Sequence, residues 1–234
     1  TRHLFLINMD LKRNKACEGK MGMNYCAIIG DIVKSRQINN RYEVQKKFIY
    51  VIEDLVNSKY SGYIASKFTV TLGDEFQGLL YEEYSYLSYE IIEFISQNMD
   101  PVKLVYGIGI GSMDIEPNPD IAIRSDGPAY HNARKMVMRA KEKKPSVCYC
   151  TGSIEDELIN SLIYLMEVST NKMTAKQRQI IKLYNELKSQ RSVADKLKVT
   201  QGTVSRILKN ACYYQIKYAK QNIIGFLKQK YGDQ

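Results

Sequence analysis

Residues 66–81 read SKFTVTLGDEFQGLLY, two β-prone runs on either side of Gly73-Asp74. Glycine and aspartate between two such runs signal a tight hairpin. Upstream, NYCAIIGDI (24–32) is a short apolar run that also ends on Gly-Asp, as a buried strand would. Val44, Phe48, Val51 or Ile52 and Leu55 then recur at helical spacing and predict an amphipathic helix over about 40–58. Downstream of the hairpin, Leu87, Ile91, Phe94 and Ile95 mark a second helix, and VKLVYGIGIG (102–111) reads as a strand. Its Gly107, Gly109 and Gly111 fall on one side, a bare face that another backbone or a ligand can approach closely. Pro128 opens a third helix, where proline is tolerated in the first turn, and 146–150 is a last short strand. The order β-α-β-β-α-β-α-β, with helices alternating with strands around one hairpin, predicts an α+β ferredoxin-like palm.

Asp31 and Asp74 each follow a glycine at the end of an apolar run. In this strand order the end of the first strand lies beside the hairpin tip, so both carboxylates are expected at one point. Like charges held close require a cation between them, and hard oxygen donors favour Mg2+ or Mn2+. Such a pair can hold metals that activate a hydroxyl and stabilise a leaving phosphate oxygen. Gly-Asp is also a common turn dipeptide, and either aspartate alone is explained as a turn residue.

The 234-residue chain carries a formal net charge of +9, distributed very unevenly. From Glu167 onward there are 14 basic and 4 acidic residues, whereas 23–166 hold 15 basic and 19 acidic. A basic partner surface is therefore expected only in the last third. There, Thr174 can cap a helix with Ile180, Ile181, Leu183 and Leu187 as its apolar stripe. Residues 191–197 form a short second helix, Lys198-Val199 a turn, and Thr200 caps a third helix from Gln201. Small Ala194, with Val199, Val204 and Ile207, suits two helices meeting steeply. A helix-turn-helix binding double-stranded DNA follows, with Gln201, Thr203, Ser205 and Arg206 toward base edges and Lys188, Lys198 and Lys209 toward phosphates. The last helix carries Ile216, Ala219, Ile223 and Leu227 on one side, to pair subunits or to cover the three-helix unit, the commoner use. Tyr81, Tyr84 and Tyr89 are expected as packing residues around the second palm helix.

Five cysteines without a C-x-x-C pair suggest reduced thiols rather than zinc or disulfides. No run approaches the roughly 18 apolar residues of a membrane span, so a cytoplasmic protein with no membrane partner is expected. The chain opens on Thr1, with Met21 and Met23 just before the first strand, and residues 1–22 read as an extension, not necessarily native, that adds little to the fold. The predicted domains are 23–168 and 172–234.

The stretches AIIGDIVKSR, FTVTLGDEFQGLL, VYGIGIGSMD and DGPAYHNARKMV resemble the SatD family. More distantly they are similar to the palm core of class III adenylate and guanylate cyclases and GGDEF diguanylate cyclases. The resemblance covers 23 to about 150; residues 173–211 resemble a helix-turn-helix of the sigma-factor region 4 or LuxR type. The cyclase resemblance implies that Asp31 and Asp74 bind two metals, with the Ile32 carbonyl as a further ligand and Glu75 as the hairpin's second acid. It implies that Val33, Lys34, Ser35 and Arg36 cradle a nucleoside triphosphate or related nucleotide. Arg134 falls on the arginine that steadies the transferring phosphate. Tyr130 stands where its partner asparagine would be, Asn132 lies off that helix face, and Val70 replaces the base-selecting lysine. His131 is placed either to contact phosphate or base or simply as a partly exposed helix histidine. Palm cyclases work as head-to-tail dimers and helix-turn-helix proteins often read paired half-sites, so a homodimer is implied. Two functions follow: a regulator with a metal-dependent nucleotidyl cyclase palm, or a catalytically inactive regulator whose palm senses a nucleotide or mediates dimerisation.

Overall fold

A computed structural model describes residues 23–123, 125–142 and 145–232; the expected extension at 1–22 lies outside them. The palm runs β1 (Asn24–Ile32), α1 (Arg41–Ile49), β2 (Ile64–Val70), β3 (Glu75–Tyr81), α2 (Ser88–Met99), β4 (Leu104–Ser112), α3 (Pro128–Glu142) and β5 (Val147–Cys150). The predicted element order is thus the observed one. Helix α1 continues through a π-helical stretch, Tyr50–Val56, to Lys59, and a 3-10 segment, Glu82–Leu87, leads into α2. The five strands lie in the order β2-β3-β1-β4-β5. β1 is antiparallel to both neighbours, and β5 joins β4 in parallel, which makes the sheet mixed.

Strand alternation divides the core into two layers. Cys26, Ile28 and Ile32 of β1 face one side with Phe48, Ile52, Ile91 and Ile95, whereas Ala27 and Ile29 face α3 on the other. The bare side of β4 receives a helix backbone rather than a ligand. A Cβ built on Gly107 would sit 2.1 Å from the Ala133 carbonyl oxygen and 2.2 Å from the Val137 nitrogen. Tyr89 is buried in the core, as expected for a packing residue on α2.

Helix α4 (Asp156–Asn171) packs Ile159, Ile163 and Met166 into the first layer and leads directly into α5 (Ala175–Leu187), α6 (Gln190–Leu197) and α7 (Gln201–Asn210). The three helices start where their caps dictate. Thr174 and Gln177 form a reciprocal capping box, and the hydroxyls of Ser189 and Thr200 accept from Ser192 and Thr203 backbone N–H groups. Lys188 and Lys198 close α5 and α6 with φ of 55° and 53°. Ile180, Val193, Ala194, Val204 and Leu208 make a separate small core, with Val199 and Ile207 packed against it.

The last helix, α8 (Tyr213–Tyr231), corrects one expectation. Its buried Ile216, Ile223 and Leu227 belong to the palm's first core layer, not to the three-helix core. The chain thus leaves the palm at Asn171, builds the three helices and returns to lie on the palm. Among the described residues no helix is long and apolar enough to cross a membrane.

Candidate functional site

Asp31 occupies the last α3-facing position of β1, directly opposite Glu75 of β3 on one side and Val105 of β4 on the other. The hairpin tip is tied to the same place, because the Ile32 N–H donates to the Asp74 carbonyl oxygen at 2.8 Å. Asp74 in turn accepts a 2.5 Å bond from the Ser35 hydroxyl. Lys34, in a left-handed conformation with φ of 54°, turns the chain into the 3-10 segment Ser35–Gln37. The two sequence-predicted aspartates and the 33–36 loop therefore meet at one end of the sheet, where residues 31–36 and Asp74 line a cleft of about 980 Å³.

The cleft also contains two cations that carry no motif. Lys103 lines it from the entry to β4, and Lys141 reaches from the last turn of α3 to within 2.8 Å of Asp31 Oδ2. Burial raises the Asp31 carboxyl above its ordinary value. The Lys141 bond and charge oppose that rise, while the charges of Asp74 and Glu75 add to it. In hindsight Lys141 is legible: it stands two helical turns beyond Arg134 and shares its face.

Four other expected site residues sit elsewhere. Glu75, whose side chain is 8% exposed, is held in a two-pronged pair by Arg134, with Nη2 to Oε1 at 2.8 Å and Nη1 on Oε2. The bond to Glu75 raises the guanidinium's pKa. Neither residue lines the cleft, since α3 advances and it is Lys141, seven residues on, that arrives over Asp31. Tyr130 is 6% exposed and lies in the apolar layer between α3 and the sheet, so it is not presented to a cleft ligand. His131 is exposed outside the cleft lining, with Nε2 2.7 Å from Asp126 Oδ1. Asn132, off the Tyr130 face, instead donates to the Ile110 carbonyl at 3.0 Å.

The donor set determines which metal would fit. Among the described residues no group of three or more His, Cys, Asp or Glu could hold an ion. Both Glu75 oxygens are bound to Arg134; of the carboxylates that line the cleft, Asp31, Asp74, Asp100, Glu142 and Glu167, the first two flank the 33–36 loop. Mg2+ or Mn2+ commonly binds through one or two carboxylates and completes its shell with water and substrate phosphates. Asp31 and Asp74 are the predicted donors that could hold such an ion, whereas Glu75, the hairpin's second acid, is engaged by Arg134.

On the three-helix unit, Gln201, Arg206, Lys209, Lys198 and Lys188 are exposed, while Thr203 and Ser205 are half-buried. Thr203 is also engaged with the Thr200 hydroxyl at 2.9 Å.

The SatD family model matches residues 25–224, spanning the palm, the three helices and most of α8. No curated protein matches the chain. Solved structures similar to it include a bacterial light-regulated adenylyl cyclase, 13% identical, covering 56% of this chain and 77% of that one with a TM-score of 0.43. A regulator of polyketide synthase expression from Bifidobacterium adolescentis is also 13% identical, covering 94% of this chain and 86% of that one with a TM-score of 0.31. Both scores are too low to carry an argument about activity.

Proposed function

This chain belongs to the SatD family, and on that premise we propose that it is a DNA-binding regulator whose palm binds a nucleotide's phosphates together with one Mg2+ or Mn2+. The observation that carries this reading is the meeting of Asp31 and Asp74 with Lys34, Arg36, Lys103 and Lys141 around one cleft. Four cations could meet a triphosphate, but five carboxylates, Asp31, Asp74, Asp100, Glu142 and Glu167, line the same cleft, and the two beside the 33–36 loop, Asp31 and Asp74, would repel its phosphates. A divalent ion between them and the phosphates reverses that repulsion. Lys141 would then exchange Asp31 for phosphate, and the Ser35 hydroxyl holds Asp74 in place for the ion.

Arg134, assigned by the cyclase resemblance to the transferring phosphate, is engaged by Glu75 outside the cleft lining. That placement favours a sensing site over a catalytic one. The route to DNA is short. Thr170 and Asn171 at the end of α4 line the same cleft, and the Arg178 guanidinium of α5 donates to the Thr170 carbonyl at 2.8 Å.

Calorimetric titration with each of the four nucleoside triphosphates, with and without Mg2+ or Mn2+, tests the palm. Metal-dependent binding without turnover is expected, weakened at least about 10-fold by Asp74→Ala, the scale of losing one charge-assisted ligand. Binding unchanged by Asp74→Ala or by chelation of the metal would sink the site, and product formation would restore the catalytic alternative.

For the helices, Arg206→Ala should cost about 1–3 kcal/mol against the preferred duplex and relax its sequence preference. Lys209→Ala should weaken all duplexes alike and lower the salt slope by about 1. Electrophoretic mobility shifts over a salt series separate the two; equal, sequence-independent losses would rule out base reading by Arg206.

A further inference from the structure

Helix α4 is apolar on two sides. Ile159, Ile163 and Met166 are buried against the palm, yet the outward side carries Leu158 and Leu165, each 64% exposed, and Val168, 38% exposed. Ile154, just ahead of the helix, is 95% exposed. A helix apolar all round is normally covered all round, and exposed apolar stripes of this kind mark interaction surfaces.

The spacing identifies what covers it. With exposed Ser161 at the centre, the outward positions of the helix are 158, 161, 165 and 168, and Ile154 extends the stripe from the turn just before it, in alternating steps of four and three as in a helix-pairing seam. The series reads nearly the same in both directions about Ser161. Such a stripe is self-complementary in an antiparallel pair, the condition for an interface formed by the same patch on two identical subunits. An unrelated partner would require no such symmetry.

We propose that the outward face of α4 is a twofold interface with a second copy of this chain. Leu158 packs on the partner's Leu165, Ile154 on the partner's Val168, and Ser161 lies on the axis, small enough for the helices to approach within about 8–10 Å. Charge does not oppose this orientation. The Asp156 carboxylate at one end of α4 accepts from Thr151 and Gly152 of its own chain. Glu157 is already paired with Arg139 of its own chain, which keeps the rim from being repulsive. The interface does not depend on the nucleotide reading. Because α4 leads straight into α5, it would also set the distance between two reading helices.

Sedimentation velocity on the full chain is expected to show a dimer at micromolar concentration. The double variant Leu158→Glu/Leu165→Glu should raise the dimer dissociation constant by about 100-fold, with an unchanged circular dichroism spectrum because both side chains are exposed. Ser161→Cys should give a covalent dimer on oxidation beyond the wild-type background of native cysteines, and this decides the matter if the double variant fails to fold. A monomeric wild type, with the stripe covered by residues 1–22 or by a different protein, would overturn the proposal. So would a dimer that survives the double variant, or a Ser161→Cys protein that does not cross-link.

Discussion

Gly107→Val is expected to abolish the folded palm. A Cβ at that position would lie 2.1 Å from the Ala133 carbonyl oxygen, 2.2 Å from the Val137 nitrogen and 2.9 Å from the Met136 carbonyl carbon. All three are backbone atoms of α3, so no rotamer change relieves the clash. Overpacking that side chains can partly absorb costs about 1–3 kcal/mol. Here α3 as a whole must lift off β4, taking Ala129, Ala133 and Val137 out of the second core layer. A typical domain is stable by only about 5–15 kcal/mol, so the variant should be insoluble or melt without cooperativity. The graded control is Gly111→Ala, whose Cβ would meet Ala129 N at 3.0 Å and Pro128 Cβ at 3.1 Å near the helix start, where the chain can yield. Thermal denaturation followed by circular dichroism distinguishes them; a Gly107→Val protein melting within a few degrees of wild type would contradict this packing. Binding should vanish with the fold, because α3 also delivers Lys141 to Asp31.

The glycine row shows what kind of information the sequence holds. The β-prone runs on either side of Gly73-Asp74 predicted β2 and β3, and the bare side of β4 announced a close approach. Neither said that the approaching object would be α3, since a missing side chain records proximity and not identity. The caps at Thr174 and Thr200 were equally legible because a hydroxyl bonding the backbone three residues on is a local matter. The charge pairs were not. Lys141 with Asp31 and Arg134 with Glu75 join residues 110 and 59 positions apart, and only the register of α3 on the sheet decides which cation meets which acid. Analogy assigned Arg134 to the phosphate site, but the register gave that end of α3 to Lys141. Likewise Tyr130 and Arg134 share a helix face by spacing, yet the ring turns under α3 while the longer guanidinium reaches its rim.

Truncation after Ala211, before α8, is expected to destabilise the palm, although α8 follows the three-helix unit in sequence. The apolar stripe of α8 was plain, but a stripe tells which face is buried and not against what. Leu227 is 0% exposed and Ile223 1%, both in the layer that also holds Ile91, Ile95 and Tyr149. Fully burying a large aliphatic side chain contributes about 1.5–3 kcal/mol, and area-based figures are upper estimates. With Ile216, 9% exposed in the same layer, three such residues still approach the whole stability of a domain. Polar ties run the same way: Lys220 pairs with Glu93 of α2, Lys230 lies 3.2 Å from Glu155 at the start of α4, and the Tyr231 hydroxyl donates to the Thr151 carbonyl at 3.4 Å. A truncated protein should therefore expose apolar palm surface and melt well below the full chain. Leu227→Ala alone should cost about 2–5 kcal/mol. If the palm's melting temperature is unmoved by both changes, α8 is peripheral. If it falls, loss of DNA binding on deleting 172–234 could not be assigned to the three helices alone. Point variants such as Arg206→Ala would then be the sound test, because Arg206 is exposed and outside the apolar clusters.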